Sequence, residues 1–278
     1  MAKILFTTIM YNRPKVSELY LLGLERLKQI HDFDTLVIVS DQESADLCEK
    51  YGVEHYYHEN LPLGKKHNFM LEKCLEKDFD YLIHSGDDDI MSNRLFMDYC
   101  LLFENSEHDY IKAHGLYFYD LKSNKALNFQ PKNTFGAFRA FKRSMLEDIA
   151  IQYHCVFRQD VLIGGKSYHY GNIYSLPNYI AQYYHDKALC SIDLYFVGLW
   201  GDELNKTLDF SSESKLIEAN VKAHIVKHET PQIIDFKSEQ NIWKFEKYYT
   251  SSTDATKEEV FSLLGDKEIE HIAKFAIC

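Results

Sequence analysis

The sequence predicts an α/β protein built on a mostly parallel, Rossmann-like β-sheet with flanking helices. Short apolar runs alternate with amphipathic segments of about 10–15 residues through the first hundred residues, as in βαβ units. The hydrophobic share of 46% and the charged share of 26% are those of a globular chain. A length of 278 residues suits one large domain. No internal repeat or flexible linker interrupts it.

The strands and helices of the first half follow from hydrophobic periodicity. Apolar runs that end in turn-forming residues predict strands over residues 3–9, 35–39, 54–57 and 80–84. Leucine, methionine and cysteine at helical spacing predict helices over residues 16–29, 43–51, 63–76 and 93–103.

Beyond residue 105 the pattern becomes richer in aromatic residues and strands. We expect strands at 110–121, 126–129 and 191–198 and a helix at 176–188. Three further helices, over residues 231–249, 256–264 and 267–277, are expected to form a C-terminal helical layer.

The charge distribution limits the classes of partner. The net charge of −11 argues against indiscriminate binding to nucleic acid or anionic lipid. Residues 112–166, however, hold nine basic and four acidic residues, which makes this segment a candidate surface for an anionic ligand. Alternatively, the segment only balances its acidic flanks.

Cysteine usage and hydropathy indicate the compartment. The six cysteines include no Cys-x-x-Cys pair, so we expect reduced thiols. No apolar run approaches the roughly 20 residues of a membrane span, and the apolar N-terminal segment resembles a buried strand more than a signal peptide. We expect a cytoplasmic protein of a bacterium or of a virus-infected host cell.

Three consecutive carboxylates, Asp87-Asp88-Asp89, follow the strand predicted at 80–84. Ligands of open parallel sheets bind beyond the carboxyl ends of the strands. Asp87 and Asp89 flank one residue, so a turn can direct both at one point, where oxygen ligands suit Mg²⁺ or Mn²⁺. The alternative is a solvated acidic turn that caps the following helix.

Four motifs occur in a recognisable order: Tyr11-Asn12-Arg13-Pro14, Ser40-Asp41, Gly64-Lys65-Lys66-His67-Asn68 and Gly86-Asp87-Asp88-Asp89. Together they resemble the large inverting family of nucleotide-sugar glycosyltransferases with the GT-A fold, over about the first 100 residues. The chain departs from that family at Ser40, where Asp is usual, and at His67, where Arg is usual.

The resemblance implies a set of donor-binding and metal-binding residues. The donor set is Tyr11, Asn12, Arg13, Asp41, Lys65, Asn68 and Asp87. Lys65 or Lys66 would face the diphosphate. Asp87 and Asp89 would hold Mn²⁺ or Mg²⁺, and His228 would close the metal site, with His224 in reserve. Each has a structural alternative: Arg13-Pro14 can simply open a helix, and any single histidine or lysine can belong to the surface.

The resemblance also places an acceptor side and a catalytic base. The acceptor set is Phe135, Gly136, Arg139, Arg143 and Trp200. The acidic pair Asp202-Glu203 would supply the base, with Asp202 preferred; the alternative is a helix N-terminus with an acidic first turn. The implied division is a glycosyltransferase domain over 1–230, with a donor half (1–110) and an acceptor half (111–230), and a helical extension over 231–278.

These expectations lead to one main function and several rivals. The main one is metal-dependent transfer of a sugar from a nucleotide diphospho-sugar to an acceptor hydroxyl. The basic residues and phenylalanines of 112–166 suggest an anionic polymer, either an acidic or phosphate-bearing glycan or a hydroxylated base of virus-type DNA. The rivals are a metal-dependent nuclease or phosphoesterase and a non-catalytic nucleotide-binding module.

Overall fold

The computed structural model describes residues 1–60, 63–130, 137–146, 156–157, 159–163, 166–170, 196–197, 222–238 and 245–275. Its strands are β1 (Ile4–Met10), β2 (Asp34–Val39), β3 (Glu54–Tyr57), β4 (Tyr81–His84), β5 (Asp89–Met91), β6 (Tyr110–Ala113), β7 (Leu116–Asp120), β8 (Lys125–Phe129), β9 (Arg139–Lys142), β10 (Val156–Phe157), β11 (Gln159–Ile163), β12 (Lys166–Tyr170), β13 (Phe196–Val197), β14 (Ala223–Val226), β15 (Ile233–Lys237) and β16 (Thr253–Ala255). Its α-helices are α1 (Pro14–Leu27), α2 (Gln42–Lys50), α3 (Leu63–Leu75), α4 (Asn93–Asn105), α5 (Lys257–Phe261) and α6 (Asp266–Phe275), and a 3-10 helix spans Phe245–Tyr248.

The first sheet has the strand order β14-β6-β9-β4-β1-β2-β3 among the described residues. Strands β4, β1, β2 and β3 are parallel to one another, and β14 is parallel to β6. Strand β9 runs antiparallel to both of its neighbours, β4 and β6. The predicted α/β class with a mostly parallel sheet is therefore confirmed.

A second sheet has the order β16-β8-β7-β15-β5. Strand β15 pairs antiparallel with β5 and parallel with β7. Because β5 begins within the acidic triplet, at Asp89, the turn after β4 connects the two sheets.

Two expected elements differ from the structure. The helix expected over 231–249 is wrong at 233–237, because these residues form β15 and are held between β5 and β7, where pairing outweighs local propensity. The strand expected over 110–121 is split at Gly115, which has a φ of +77° and lets the chain turn from the first sheet into the second.

Other elements agree with the expectations. The last two helices are present as α5 and α6, which confirms a C-terminal helical layer. The helix expected at 176–188, and the strand expected at 191–198 apart from β13, lie outside the described residues. None of the described helices is both long and apolar enough to cross a bilayer.

The first sheet has an apolar layer on each face. On one face, side chains such as Phe6 and Ile83 pack with α1 and α4. On the other, Leu5, Leu82 and Phe141 pack with residues of α3. Burial of one such side chain stabilises the fold by roughly 1.5–3 kcal/mol, so the two layers fix the strand ends that carry polar residues.

Candidate active site

The polar residues that follow β1, β2 and β4 lie at one edge of the first sheet, because these strands are parallel and in register. Local structure directs their side chains. Pro14 opens α1, which leaves Arg13 at the N-cap position with no capping hydrogen bond from its side chain. The guanidinium of Arg13 instead reaches the turn after β4.

Arg13 holds two carboxylates of that turn. Its Nη2 donates to Asp87, and its Nη1 donates to Asp88 Oδ2 at 2.8 Å. Ser17 Oγ, on the next turn of α1, also donates to Asp87. Burial raises the pKa of Asp87 despite Arg13, whereas for Asp88 the effect of burial is outweighed by Arg13 and Lys237, which hold its pKa below the ordinary value.

The carboxylate of Asp89 points elsewhere. Its Oδ2 accepts hydrogen bonds from Ser85 Oγ at 2.7 Å and from the Gly86 backbone N–H at 2.9 Å. Asp235 lies directly opposite Asp89 in the β15–β5 pair. Burial, with the charges of Asp235 and Asp88 close by, raises the pKa of Asp89 well above its ordinary value.

Asp88, Asp89 and Asp235 form a group in which one ligand atom from each lies within 4.8 Å of the others. We call these three residues the acidic cluster. Lys237 donates to Asp235 Oδ2 at 2.6 Å, while Asp235 Oδ1 is buried and has no hydrogen-bond partner among the described residues. Burial raises the pKa of Asp235 to about 6, although Lys237 opposes the shift.

The acidic cluster fits a divalent cation. All its donor atoms are carboxylate oxygens, the ligands that Mg²⁺ and Mn²⁺ prefer. Burial beside like charges disfavours the ionised forms of Asp89 and Asp235, and a cation would favour them. The buried Oδ1 of Asp235 is an acceptor that such an ion would satisfy.

Gly86 lets the carboxylates approach the backbone closely. A Cβ atom at this position would lie 2.5 Å from Asp88 Oδ1 and 3.1 Å from Asp89 Oδ2. Any side chain there would therefore displace Asp88. This is a steric requirement for glycine in the turn.

The residues expected to bind the nucleoside lie around the ends of β1 and β2. The Tyr11 ring is 46% exposed. Asn12 has a φ of +53°, and its backbone N–H donates to Asp41 Oδ2 at 2.9 Å. Asp41 also caps α2 by accepting from Ser44 N at 2.8 Å and Ser44 Oγ at 2.9 Å.

Lys66, on α3, reaches the end of β1. Its Nζ donates to the Met10 carbonyl oxygen at 2.8 Å and to Asn60 Oδ1 at 3.3 Å. Burial lowers its pKa to about 8, although Asp87 and Asp41 oppose the shift. The side chains of Lys65 and Asn68 lie outside the described residues.

The expected metal ligands are only partly brought together. Asp89 belongs to the acidic cluster, whereas Asp87 is turned toward Arg13 and Ser17. His228 follows β14, and its Nε2 lies 2.9 Å from Asp98 Oδ2 on α4. His224, the reserve candidate, lies on β14 with its ring centroid 4.9 Å from that of His108.

The two expected acceptor arginines lie at opposite ends of the short strand that carries them. Arg139 begins β9 opposite His84 and is buried. Arg143 follows β9, donates to the carbonyl oxygens of Lys77 and Leu75, and stacks on Phe79 with 4.8 Å to the ring centroid. Arg143 thus lies at the edge of the sheet away from the acidic cluster.

The remaining candidates fall outside the described residues. They are Phe135, Gly136, Trp200, Asp202 and Glu203. The sequence analysis in turn missed Asp235 and Lys237. The alternation of Ile234, Phe236 and the two charged residues indicates a strand, but nothing local shows that it pairs with β5.

Comparisons with known proteins find similar structures but no matching sequence family. No family model matches the sequence, and no curated protein does either. S. aureus TarS is similar in structure, at 12% identity and a TM-score of 0.48, over 99% of this chain and 43% of that one. S. aureus TarS 1–349 in complex with UDP-GlcNAc is similar at 12% identity and 0.45, over 99% and 71%.

A third match is glucosyl-3-phosphoglycerate synthase from Mycobacterium tuberculosis, solved with Mn²⁺, UDP and glucosyl-3-phosphoglycerate. It shares 14% identity with a TM-score of 0.37, over 53% of this chain and 59% of that one. The chain thus spans less than two thirds of TarS and of the synthase. At these TM-scores the likeness is too distant to indicate an activity or a ligand.

Proposed function

We propose that this protein is a metal-dependent glycosyltransferase of the GT-A type, which moves a sugar from a nucleotide diphospho-sugar to an acceptor hydroxyl. The observation that carries the proposal is the acidic cluster, whose carboxylates converge within 4.8 Å. Two of its three members, Asp88 in the turn after β4 and Asp89 at the start of β5, belong to the last of the four motifs that resemble that family. Inversion of the sugar configuration follows from the resemblance alone.

The acidic cluster would hold Mn²⁺ or Mg²⁺ through Asp88, Asp89 and Asp235. A bound cation of this kind neutralises charge that develops on a leaving diphosphate. The chain's own residues keep the carboxylates in position: Arg13 orients Asp88, Ser85 orients Asp89, and Lys237 orients Asp235. In this proposal Asp87 orients Arg13 on α1 and does not itself hold the metal.

The donor nucleoside would lie against Tyr11, Asn12 and Asp41. The Tyr11 ring offers an exposed face for a base. The carboxylate of Asp41 accepts three hydrogen bonds from the residues that the structure describes, out of about four that it can accept. It therefore has capacity for one donor from a base or a ribose.

The acceptor hydroxyl would lose its proton to Asp202 or Glu203, as the resemblance implies. A general base must come within hydrogen-bond reach of the attacking hydroxyl. The acceptor itself is proposed to be an anionic glycan or a hydroxylated base in DNA, on the charge of residues 112–166.

The test is release of nucleoside diphosphate from a panel of nucleotide-sugars, with Mn²⁺ and with a chelator. We expect metal-dependent release, and Asp89→Asn should reduce it by a factor on the order of 10³, since a catalytic metal is worth several kcal/mol. Asp254→Asn, at an exposed position on β16, is the matched control. Near-normal turnover by Asp89→Asn would contradict the proposal.

The same preparation separates the rivals. A nuclease or phosphoesterase would cleave an activated phosphodiester with no nucleotide-sugar present. A non-catalytic module would bind the nucleoside diphosphate without releasing any from the sugar donors. Labelled-sugar transfer to a hydroxymethylated oligonucleotide, compared with an acidic oligosaccharide, distinguishes the two acceptors.

A further inference from the structure

Helix α1 lies along residues 87–91, the segment that begins with the acidic triplet. In the first half of the helix, Ser17 Oγ donates to Asp87. Near the end of the helix, Arg26 Nη2 donates to the Met91 carbonyl oxygen at 2.8 Å. Successive turns of α1 therefore contact successive parts of this segment.

Tyr20 lies on α1 between these two contacts, one turn before Gly23. Gly23 packs closely on β5, since a Cβ atom there would lie 3.2 Å from Ile90 Cδ1. The Tyr20 side chain is buried. Burial, together with the charges of Asp89 and Asp87, raises the pKa of its hydroxyl. The hydroxyl therefore keeps its proton and lies within reach of the charges of two carboxylates of the triplet.

The Tyr20 hydroxyl is a buried group without a hydrogen-bond partner among the described residues. A buried hydroxyl that has lost its hydrogen bonds to water and gained none in return costs stability. The Tyr20 ring packs in the apolar layer between α1 and the first sheet, and a phenylalanine ring would fill the same space without that cost. The oxygen atom therefore needs an explanation other than packing, and a ligand beside the acidic triplet provides one.

The two nearby carboxylates can still accept hydrogen bonds. From the residues that the structure describes, the side chains of Asp87 and Asp89 each accept two. A carboxylate can accept about four. A buried water molecule needs about two to four polar partners, and the Tyr20 hydroxyl and these two carboxylates supply three.

We propose that the Tyr20 hydroxyl binds a buried water molecule that bridges to Asp87 and Asp89, and that it thereby positions the acidic triplet for a divalent cation. Neither carboxylate is hydrogen-bonded to Tyr20 directly, so the link needs a bridging molecule. Groups that orient metal-binding carboxylates are commonly hydrogen-bonded to them. Tyr20 is thus a positioning residue that touches neither cation nor substrate. The inference rests on the cation site of the proposed function and is independent of sugar transfer.

The test is titration of the full chain with Mn²⁺, in which electron paramagnetic resonance measures the free ion. Tyr20→Phe keeps the ring and removes the oxygen, so it should weaken Mn²⁺ binding roughly 10- to 100-fold, the usual loss for a group that orients a metal ligand. Tyr51→Phe is the matched control, because the Tyr51 hydroxyl also contacts α1 but donates to Glu18 Oε1 at 2.9 Å. Unchanged Mn²⁺ affinity in Tyr20→Phe overturns the proposal.

Thermal unfolding separates positioning from a structural role. Without metal, Tyr20→Phe should keep the unfolding midpoint of the wild type, because it removes no hydrogen bond to the described residues. With Mn²⁺, it should lose part of the midpoint increase that the ion gives to the wild type. A midpoint lowered equally with and without Mn²⁺ would show that the hydroxyl serves the fold alone, and would overturn the proposal.

A double-mutant cycle tests the bridge itself. Asp87→Asn should retain measurable affinity, since Asp87 is not expected to hold the cation. Because the water would join Tyr20 to Asp87, Tyr20→Phe should cost less Mn²⁺ affinity in Asp87→Asn than in the wild type. Additive losses would overturn the bridge.

The same measurements keep this inference apart from the proposed function. A cation site that depends on Tyr20, in a chain without nucleotide-sugar turnover, would refute the proposed function alone. Metal-dependent turnover, with Mn²⁺ affinity unaffected by Tyr20→Phe, would refute the role of Tyr20 alone. Absence of Mn²⁺ binding to the wild type would refute both.

Discussion

The acidic cluster lies beside four buried basic side chains, the basic cluster of His67, His84, Lys112 and Arg139, but the fold assembles the two clusters differently. In the acidic cluster, two carboxylates are each paired with a cation: Asp88 with Arg13 and Asp235 with Lys237. The basic cluster is defined by strand register and by one histidine from α3. The acidic cluster is thus built around ion pairs, whereas the basic cluster brings together side chains from three neighbouring strands and α3.

The pKa values of the two groups shift in opposite directions. Burial raises the pKa of Asp89 and Asp235 and lowers that of Lys112 and His84, so these four side chains shift toward their neutral forms. A cation at the acidic cluster would reverse the shifts of Asp89 and Asp235. Under the proposed function, the acidic cluster supplies binding energy and does not transfer protons.

The largest expected effect tests that last statement. Asp202→Asn should reduce turnover by a factor on the order of 10²–10⁴, the usual worth of a general base, with nucleotide affinity largely unchanged. Glu203→Gln is the companion variant, and the same loss there would exchange the two roles. Steady-state kinetics with a saturating donor measures both. If neither variant loses turnover, the base lies elsewhere.

The next prediction compares the two arginines at opposite ends of β9. Arg139→Ala should weaken binding of an anionic acceptor roughly 10- to 100-fold, and wild-type affinity should fall steeply with salt if phosphates are bound. Arg143→Ala should leave that affinity unchanged and lower stability, because Arg143 holds backbone carbonyls at the far edge. Salt-independent affinity for a neutral oligosaccharide would contradict the anionic acceptor.

A smaller effect is expected from a substitution at Gly86, in the turn between β4 and β5. Gly86→Ala should weaken Mn²⁺ binding by about tenfold, the lower end for groups that orient ligands, because the new methyl group displaces Asp88. Gly52→Ala is the control, since the space around Gly52 is open although its φ is +62°. Titration followed by electron paramagnetic resonance measures free Mn²⁺. Equal affinities for the two variants would show that Asp88 is not a ligand.

The smallest expected effect concerns stability. The pKa of Lys112 is about 5 in the folded chain, against an ordinary 10.5, so the unfolded chain binds more protons there between these values. The contribution of Lys112 to stability therefore increases with pH over that window. Lys112→Met should make stability depend less steeply on pH. It should also raise the thermal unfolding midpoint at pH 7 by about 2–4 °C for each kcal/mol of burial penalty that the substitution removes.

Urea unfolding at several pH values, with Lys142→Met alongside, measures this slope. Within the part of the chain that the structure describes, the groups around Lys112 include Arg139 on β9, Tyr110 on β6, His84 on β4 and His67 on α3. An unchanged slope in Lys112→Met would mean that Lys112 titrates in the folded chain much as it does in the unfolded one.

Much of the first sheet could be predicted because its strands are buried on both faces. Such strands are mostly apolar runs, as in Ile4–Met10 and Asp34–Val39, and each is followed by a polar turn. The location of a site at their carboxyl ends followed from this pattern together with Asp87-Asp88-Asp89. Local sequence was sufficient wherever the contacts were local.

The rest depended on contacts that local sequence does not show. Asp87 is kept out of the acidic cluster by Arg13 and Ser17, which both donate hydrogen bonds to it. Asp235 joins the acidic cluster only because β15 pairs with β5, across more than half of the chain. Lys112 is a single polar residue in a strand, and only the register with β9 reveals its neighbours.

The insertion of β15 between β5 and β7 has a consequence for synthesis on the ribosome. Strands β1 to β4 can pair as soon as the first hundred residues have emerged, since all four lie within residues 4–84. The acidic cluster is completed only when residues 233–237 arrive and pair with β5 and β7, which were made long before. Contacts of such sequence separation form slowly. A nascent chain therefore contains the triplet Asp87-Asp88-Asp89 well before Asp235 can complete the acidic cluster, which is among the later features of the molecule to form.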